Sequence, residues 1–320
     1  MRSPLLALCV VLSAFCSTAH ADDFWKRWGD GLAELDGYSL VQPRYGAPRE
    51  GTAVLVFVTE DMSDSARVKA DPGKHPASDV YPVMKLNFVK DFQTGIYDYN
   101  VLTSTFVKTE DIAAPPMKVS FSSQEWCGHV YAQWLRQVDK LVGISHSYFD
   151  GEGDATSELA IPPGGIFEDQ LPILVRGLRG DWLAPGEKRT APLLPTALTS
   201  RLLHRTPAFS EATFSRSASS IELTTVLGTV RAFTITVDVK AGERTTYTIE
   251  DGPERRLLGW ISTSGEDATL LGSKRLAYWK LHEIGDEKYL HDIGLLAPHP
   301  PRAANAPPTR RTNSGHPTPR

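Results

Sequence analysis

From Gly37 onward the chain is built of short apolar runs set off by polar turns, and the clearer runs alternate with a period of two. Ala53–Thr59 (AVLVFVT) is a compact β-branched run, which predicts a buried strand. Ser63–Ser78 is polar, with a turn at Asp71-Pro72-Gly73-Lys74. Val80–Phe92 and Ile96–Lys108 predict a hairpin turning at Gly95. Met117–Leu135 and Leu141–Phe149 predict the next pair, turning near Gln137–Asp139. Residues 150–165 are rich in Gly and acids and predict a loop. The second half repeats this grammar, with predicted strands at Phe209–Ser215, Ile221–Thr225, Thr229–Val239, Arg244–Glu250, Arg255–Ser262 and Thr269–Leu271. Residues 234–239 and 246–250 alternate most cleanly, as strands with one buried and one wet face do.

Helical periodicity is confined to two places. Phe24, Trp25, Trp28, Leu32 and Leu35 recur at helical spacing up to Gly37, which predicts a short N-terminal helix. Ile166, Leu171, Leu174, Val175 and Leu178 predict one mid-chain helix, interrupted by Pro172. The expected fold is therefore mainly β: an antiparallel sheet forming a sandwich, barrel or half-barrel.

The first 21 residues follow a different rule. Arg2, an apolar run from Pro4 to Phe15 and an A-x-A ending at Ala19-His20-Ala21 predict a secretory signal peptide cut after Ala21. The run is short of the about 20 residues that span a bilayer, so no transmembrane segment is expected after cleavage. Phe15 before Cys16 and Leu8 before Cys9 are too bulky for a lipid-anchoring signal. Cleavage leaves Cys127 alone, so the mature fold has no internal disulfide to rely on. The expected destination is periplasmic or secreted.

Charge narrows the partners. The formal net charge is −4, and without Arg2 and the four arginines of the tail, residues 22–296 stand at −9, which is no nucleic-acid footprint. Residues 297–320 carry seven prolines and no acid, a composition that predicts a disordered Pro/Arg-rich tail. The expected organisation is a signal peptide (1–21), a β-rich domain (22–296) with room for two sub-domains meeting near 165–205, and the tail.

The stretch from Gly228-Thr229 to Tyr278-Trp279 (VLGTVRAFTITVDV, ERTTYTIED, RRLLGWISTSGEDATLLGS) resembles exported β-rich families of unknown function from Gram-negative envelopes. Residues 67–108 and 118–134 are similar to a narrower exported group whose members sometimes carry the label "septum formation inhibitor Maf". The resemblance implies an envelope location and brings no catalytic motif. The S-x-S-P-R-R start of Maf nucleotide pyrophosphatases is absent, so that activity is the least expected.

Candidate chemistry gathers in residues 125–154. As one strand, Glu125, Cys127, His129 and Tyr131 would share a face. With Arg136 facing Asp139, His129 would oppose His146 and Cys127 would oppose Tyr148. One sulfur and two imidazoles (Cys127, His129, His146) would then suit zinc or copper. The plain alternative is a small buried cysteine and ordinary strand histidines. Asp150, Glu152 and Asp154 alternate in a loop as calcium ligands do, although Ala155 and Ile161 stand where an EF-hand needs Gly and Glu. Arg67, Lys69, Lys74 and His75 form a basic loop with no glycine nest to hold an anion. Gly143-Ile144-Ser145-His146-Ser147 lacks the second glycine of a nucleophile elbow. Trp126, Tyr131, Trp134 and Tyr148, with Trp260, Tyr278 and Trp279, are aromatic candidates for lining an apolar cavity in a curved sheet, or for plain core.

The function expected from the sequence is a non-enzymatic exported envelope protein, either binding an amphipathic, lipid-like ligand or serving as a structural module. The alternative is a metal- or thiol-dependent enzyme using Cys127, His129 and His146.

Overall fold

A computed structural model describes residues 23–240 and 242–296; the predicted signal peptide and Pro/Arg-rich tail lie outside the described residues. After a short helix α1 (residues 23–28), the first half of the chain forms β1 (Ala33–Arg44), β2 (Ala47–Ser63), β3 (Val80–Thr94), β4 (Tyr97–Lys108), β5 (Lys118–Glu125), β6 (Gly128–Gln137), β7 (Lys140–Ser147) and β8 (Ala155–Ala160). Next come β9 (Ile166–Phe167), β10 (Lys188–Leu194), β11 (Ser210–Arg216), β12 (Ile221–Thr225), β13 (Gly228–Val239), β14 (Arg244–Glu250), β15 (Leu257–Ser262) and β16 (Asp267–Leu276).

All belong to one sheet in the order 8-7-6-5-4-3-2-1-16-15-14-13-11-10-9, with β12 paired to the other half of β13. Every pairing is antiparallel except the short β9–β10 contact, and the sheet does not close. Near the N terminus, β1 is held between β2 and β16, so the two ends of the domain are neighbours at its centre.

The sheet curls around its own mid-chain segment. Ile166, Leu171, Ile173, Leu174, Val175 and Leu183 share one core with Phe57 of β2, Val107 of β4, Phe214 of β11, Ile235 of β13 and Ile249 of β14. Strands from both wings can meet the same segment only if the sheet bends about it. Residues 171–174 form α2, a single turn with Pro172 near its start. A second short helix, α3 (Ala197–Leu202), is capped by the Thr196 hydroxyl, which accepts from Thr199 N at 2.9 Å. It packs Leu198 against Phe92, Tyr99, Val101 and Phe121.

Several expectations need correction. Helix 23–28 stops well short of Leu35, because the chain turns at 29–31 and enters β1 at Ala33; Gly37 lies inside that strand. Met117–Leu135 is two strands, since Trp126 and Cys127 form a tight turn with Glu125 paired to Gly128. Neither residue takes a left-handed backbone, so none of the usual turn chemistry marks it. The segment 166–178 is mostly not helix: β9 and a 3-10 turn (Glu168–Gln170) precede the one turn of α2. The loop expected over 150–165 contains β8, and β10 and α3 had no counterpart in the sequence pattern.

The buried face of β1 carries charge. Glu34 and Asp36 point inward with Tyr38 and Leu40, and all four are buried. Their counter-ion is Arg176, fully buried just after α2, whose Nη2 lies 2.6 Å from Glu34 Oε1. Arg176 also donates Nε to the Arg255 carbonyl at 2.7 Å and Nη2 to the Glu254 carbonyl at 3.1 Å, and its guanidinium lies 4.4 Å from the Phe57 ring centre. Arg27 pairs with Glu34 from the other side. Burial alone would raise Glu34, but the two arginines outweigh it and hold its carboxyl below the ordinary range. For Asp36, burial and the Glu34 charge together win over Arg176 and push it up to about 7.

Candidate functional site

One end of the curl holds a half-open cavity of about 370 Å³. That is small, but within the range of ligand sites, which run from about 300 to 1,000 Å³. Its floor is the inward face of β3 and β4, where Phe88 and Lys90 pair across to Thr103 and Val101. Gln42 to Gly46 close one side, and β14 and β15 supply Thr245, Tyr247, Trp260 and Ser262. Glu168, Asp169 and Pro172 form the roof with Leu198, Leu202 and Leu203 at α3. Phe88 and Tyr38 lock the Trp260 ring, with ring centres 5.5 and 5.1 Å away.

The polar groups of this cavity are positioned by the backbone. Glu168 Oε2 accepts from Thr196 N at 3.1 Å, and Asp169 Oδ2 accepts from Ala197 N at 3.0 Å. Gln170 anchors the same roof by donating to the Ile112 and Ala114 carbonyls, each at 2.8 Å. Lys90 Nζ donates to Gln42 Oε1 at 3.1 Å and to Glu266 Oε1 at 2.7 Å, while Trp260 Nε1 donates to the same Glu266 oxygen at 2.7 Å. Burial, helped by the nearby Glu243 charge, pushes Glu168 up to about 8. Burial also pushes Asp169 up to about 7, against the pull of the Ala197 N–H and Lys90. Tyr247 is held well above the ordinary phenol range by burial and by the surrounding carboxylates, so its hydroxyl is a protonated donor.

Some of the polar lining has no partner within the protein. Tyr247 is 6% exposed, Thr103 7% and Thr245 9%, and their hydroxyls make no hydrogen bond among the described residues. Buried hydroxyls are normally paired. Here they face open volume.

The residues singled out from the sequence lie elsewhere. Trp126, Cys127, His129, Tyr131, His146, Tyr148 and Asp154 border a shallow outward recess at the β5–β6–β7 end, and none lines the cavity. His146 opposes Tyr131 rather than His129, because the β6–β7 hairpin pairs Arg136 with Leu141, two residues from the register expected. A shift of two keeps the face, so His129, Tyr131 and His146 all point outward. Cys127 sits in the turn and does not share their strand, and Glu125 points inward with Val130 and Ala132. Cys127 N donates to Glu125 Oε2 at 2.8 Å, and the Glu125 carboxylate beside it pushes the thiol up.

Among the described residues no three His, Cys, Asp or Glu side chains converge as metal ligands do. Asp154 instead lies 3.0 Å from His146 Nδ1, and Glu152 bonds His204 and accepts from Ser147 Oγ at 2.9 Å. Asp150 stays exposed at the loop tip. Trp126 and Tyr148 are exposed, while Trp134 is half-buried and packs beneath Val119 and Phe167. Of the aromatic candidates only Trp260 lines the cavity, joined by Tyr247.

A sequence signal for the cavity exists. Lys90 interrupts the inward series Leu86, Phe88, Phe92, and Thr103 and Thr105 interrupt Val101 and Val107. Polar residues on a buried phase mark a place where the core is not purely core.

No protein-family model matches this chain, and no curated protein does. Among solved structures it is similar to the beta-barrel-like protein of domain of unknown function DUF1849 from Brucella abortus. The two share 10% identity and a TM-score of 0.46, over 76% of this chain and 98% of that one. No helix among the described residues is long and apolar enough to cross a membrane.

Proposed function

We propose that this protein is a non-catalytic binding module of an exported compartment, and that an amphipathic ligand occupies the cavity inside the curled sheet. One observation carries the reading: a half-open cavity with apolar walls (Phe88, Val101, Pro172, Leu198, Trp260) also carries the hydroxyls of Thr103, Thr245 and Tyr247, which have no protein partner among the described residues. Apolar walls reward a hydrocarbon segment by roughly 25 cal/mol for each Å² removed from water. The free hydroxyls and the roof carboxyls reward a polar end, because a ligand that covered them without pairing them would cost about 1–3 kcal/mol for each group. The leader-like residues 1–21 support the exported location.

The outward recess favours no thiol or metal enzyme. A nucleophilic cysteine needs its thiol lowered, and Glu125 does the reverse to Cys127.

Titration calorimetry with decanol, decylamine and decanoate tests the binding reading. At least one of these amphiphiles should bind saturably at one site, and Thr103→Phe and Leu198→Phe, which fill the cavity, should abolish that binding in protein that still melts cooperatively. No saturable binding by any of the three, or binding indifferent to both filled variants, removes the cavity as the ligand site.

A further inference from the structure

Charge inside the cavity is unbalanced. Glu168, Asp169, Glu243 and Glu266 face it, against Lys90 and, at the rim, Arg44. Lys90 is committed to Glu266 and Gln42, and Arg44 to the Tyr99 and Tyr45 hydroxyls and the Leu202 carbonyl. The roof pair therefore has backbone N–H groups as hydrogen-bond partners and makes no ion pair among the described residues, the Lys90 charge reaching Asp169 only from a distance. Tyr247, only 6% exposed, lines the same space, and its hydroxyl makes no hydrogen bond among the described residues. Its surroundings are these same four carboxylates.

An anionic head group is disfavoured once the roof carboxyls ionise, since like charges in a partly desolvated site repel. A neutral head would satisfy the hydroxyls and leave the carboxyl excess unanswered. Resting on the binding reading above, we propose that the ligand is an amphipathic amine, its ammonium between Glu168, Asp169 and Tyr247 and its hydrocarbon along Phe88, Val101, Leu198 and Trp260. An ammonium brings three N–H donors, which suit two carboxylates and the oxygen of a phenol.

The site also gives the ligand its own pH dependence. The groups that face the roof carboxyls are Lys90 from β3, Arg44 from β1, Glu243 and Tyr247 at the start of β14, and Glu266 before β16. Of these, Arg44, raised above its ordinary value, stays cationic and Tyr247 stays neutral through the range in which Glu168 and Asp169 ionise. Amine affinity therefore rises as the pH climbs through the values at which the roof pair loses its protons.

Matched decyl probes on the intact protein decide the question. Decylamine should bind about tenfold more tightly than decanol at about pH 8.5, which is about 1.4 kcal/mol, and decanoate most weakly. That preference should shrink severalfold at about pH 5.5, while decanol binding stays level. Glu168→Gln and Asp169→Asn should each cut decylamine affinity about tenfold and leave decanol within about twofold. The decanol control also shows that each variant is folded. If decanol or decanoate binds as tightly as decylamine, or if both amide variants bind decylamine normally, the amine assignment is wrong although the cavity still binds amphiphiles. If none of the three binds, the binding reading itself falls.

Discussion

Arg176→Met removes the cation that contacts Glu34 and offsets Asp36 from the core side of β1. The substitution keeps most of the side-chain volume, so the loss is electrostatic and polar more than steric. Arg176 has no exposed surface, and neither has Glu34. Removing it deprives Glu34 of its 2.6 Å partner, strands the Glu254 and Arg255 carbonyls, and leaves Asp36 facing Glu34 with less to offset their repulsion. Breaking a buried pair by deleting one member costs about 3–5 kcal/mol, because the other charge stays buried. Arg27 still neutralises Glu34 in part, which places the expected loss near the lower end, about 3 kcal/mol. Against a total stability of about 5–15 kcal/mol that is a large fraction. Urea unfolding followed by tryptophan fluorescence would read it as a lower midpoint at unchanged slope. The double variant Glu34→Gln with Arg176→Met should be more stable than the sum of the single losses predicts, by more than about 1 kcal/mol. A loss below about 1 kcal/mol for Arg176→Met, or strict additivity in the double variant, would refute the idea that this ion cluster ties α2 to β1.

Glu168→Gln should raise thermal stability at alkaline pH. Glu168 keeps its proton in the folded state up to about 8, whereas the unfolded chain releases it near the ordinary 4.5. Its stabilising contribution is thus complete below the unfolded value and lost as the pH rises through about 8. A neutral glutamine does not titrate, so the variant and the parent should melt alike near about pH 4 and diverge by a few degrees near about pH 8.5; parallel melting curves across that range would contradict the assigned burial. Gly37→Ala should cost about 1–3 kcal/mol, since a Cβ there would lie 2.1 Å from the Ile293 carbonyl oxygen and must displace the 3-10 segment Asp286–Ile293 from β1. Faster proteolysis after Lys288 should accompany the loss, and a variant as stable and as resistant as the parent would show that this segment does not bear on the β1–β16 seam.

The strands were legible where a single buried face wrote an alternating pattern. Ile221–Thr225 and Arg244–Glu250 match the structure residue for residue, and the Gly95 hairpin turns where its positive φ of 66° requires glycine. The misses share a cause. The apolar positions over 24–35 and 166–178 recur at helical spacing, and nothing local tells that the first is cut by a turn at 29–31 and the second is wrapped by sheet on several sides. The turn at Trp126–Cys127 was invisible because it uses neither Asn-Gly nor a left-handed residue, and that one miss moved Cys127 and Glu125 to the wrong faces. The cavity could not be read because its roof and floor are far apart in sequence: Glu168 comes together with Glu243, and Lys90 with Glu266, only after the sheet curls.

What the sequence did carry was polar residues on the buried phase, and the structure shows that they are of two kinds. Glu34 and Asp36 meet a counter-ion from within the chain, Arg176, and although both Asp36 oxygens lack a hydrogen-bond partner, the worth of that cluster is stability. Glu168, Asp169, Thr103, Thr245 and Tyr247 meet backbone donors or nothing, so that cluster is incomplete in the protein alone. The two respond oppositely to substitution. Deleting Arg176 removes a partner the fold supplies, and stability drops. Neutralising Glu168 removes a charge the fold leaves unanswered, and at alkaline pH stability rises while amine binding falls. A site that is more stable when its charge is deleted is one whose charge is retained for something that binds there.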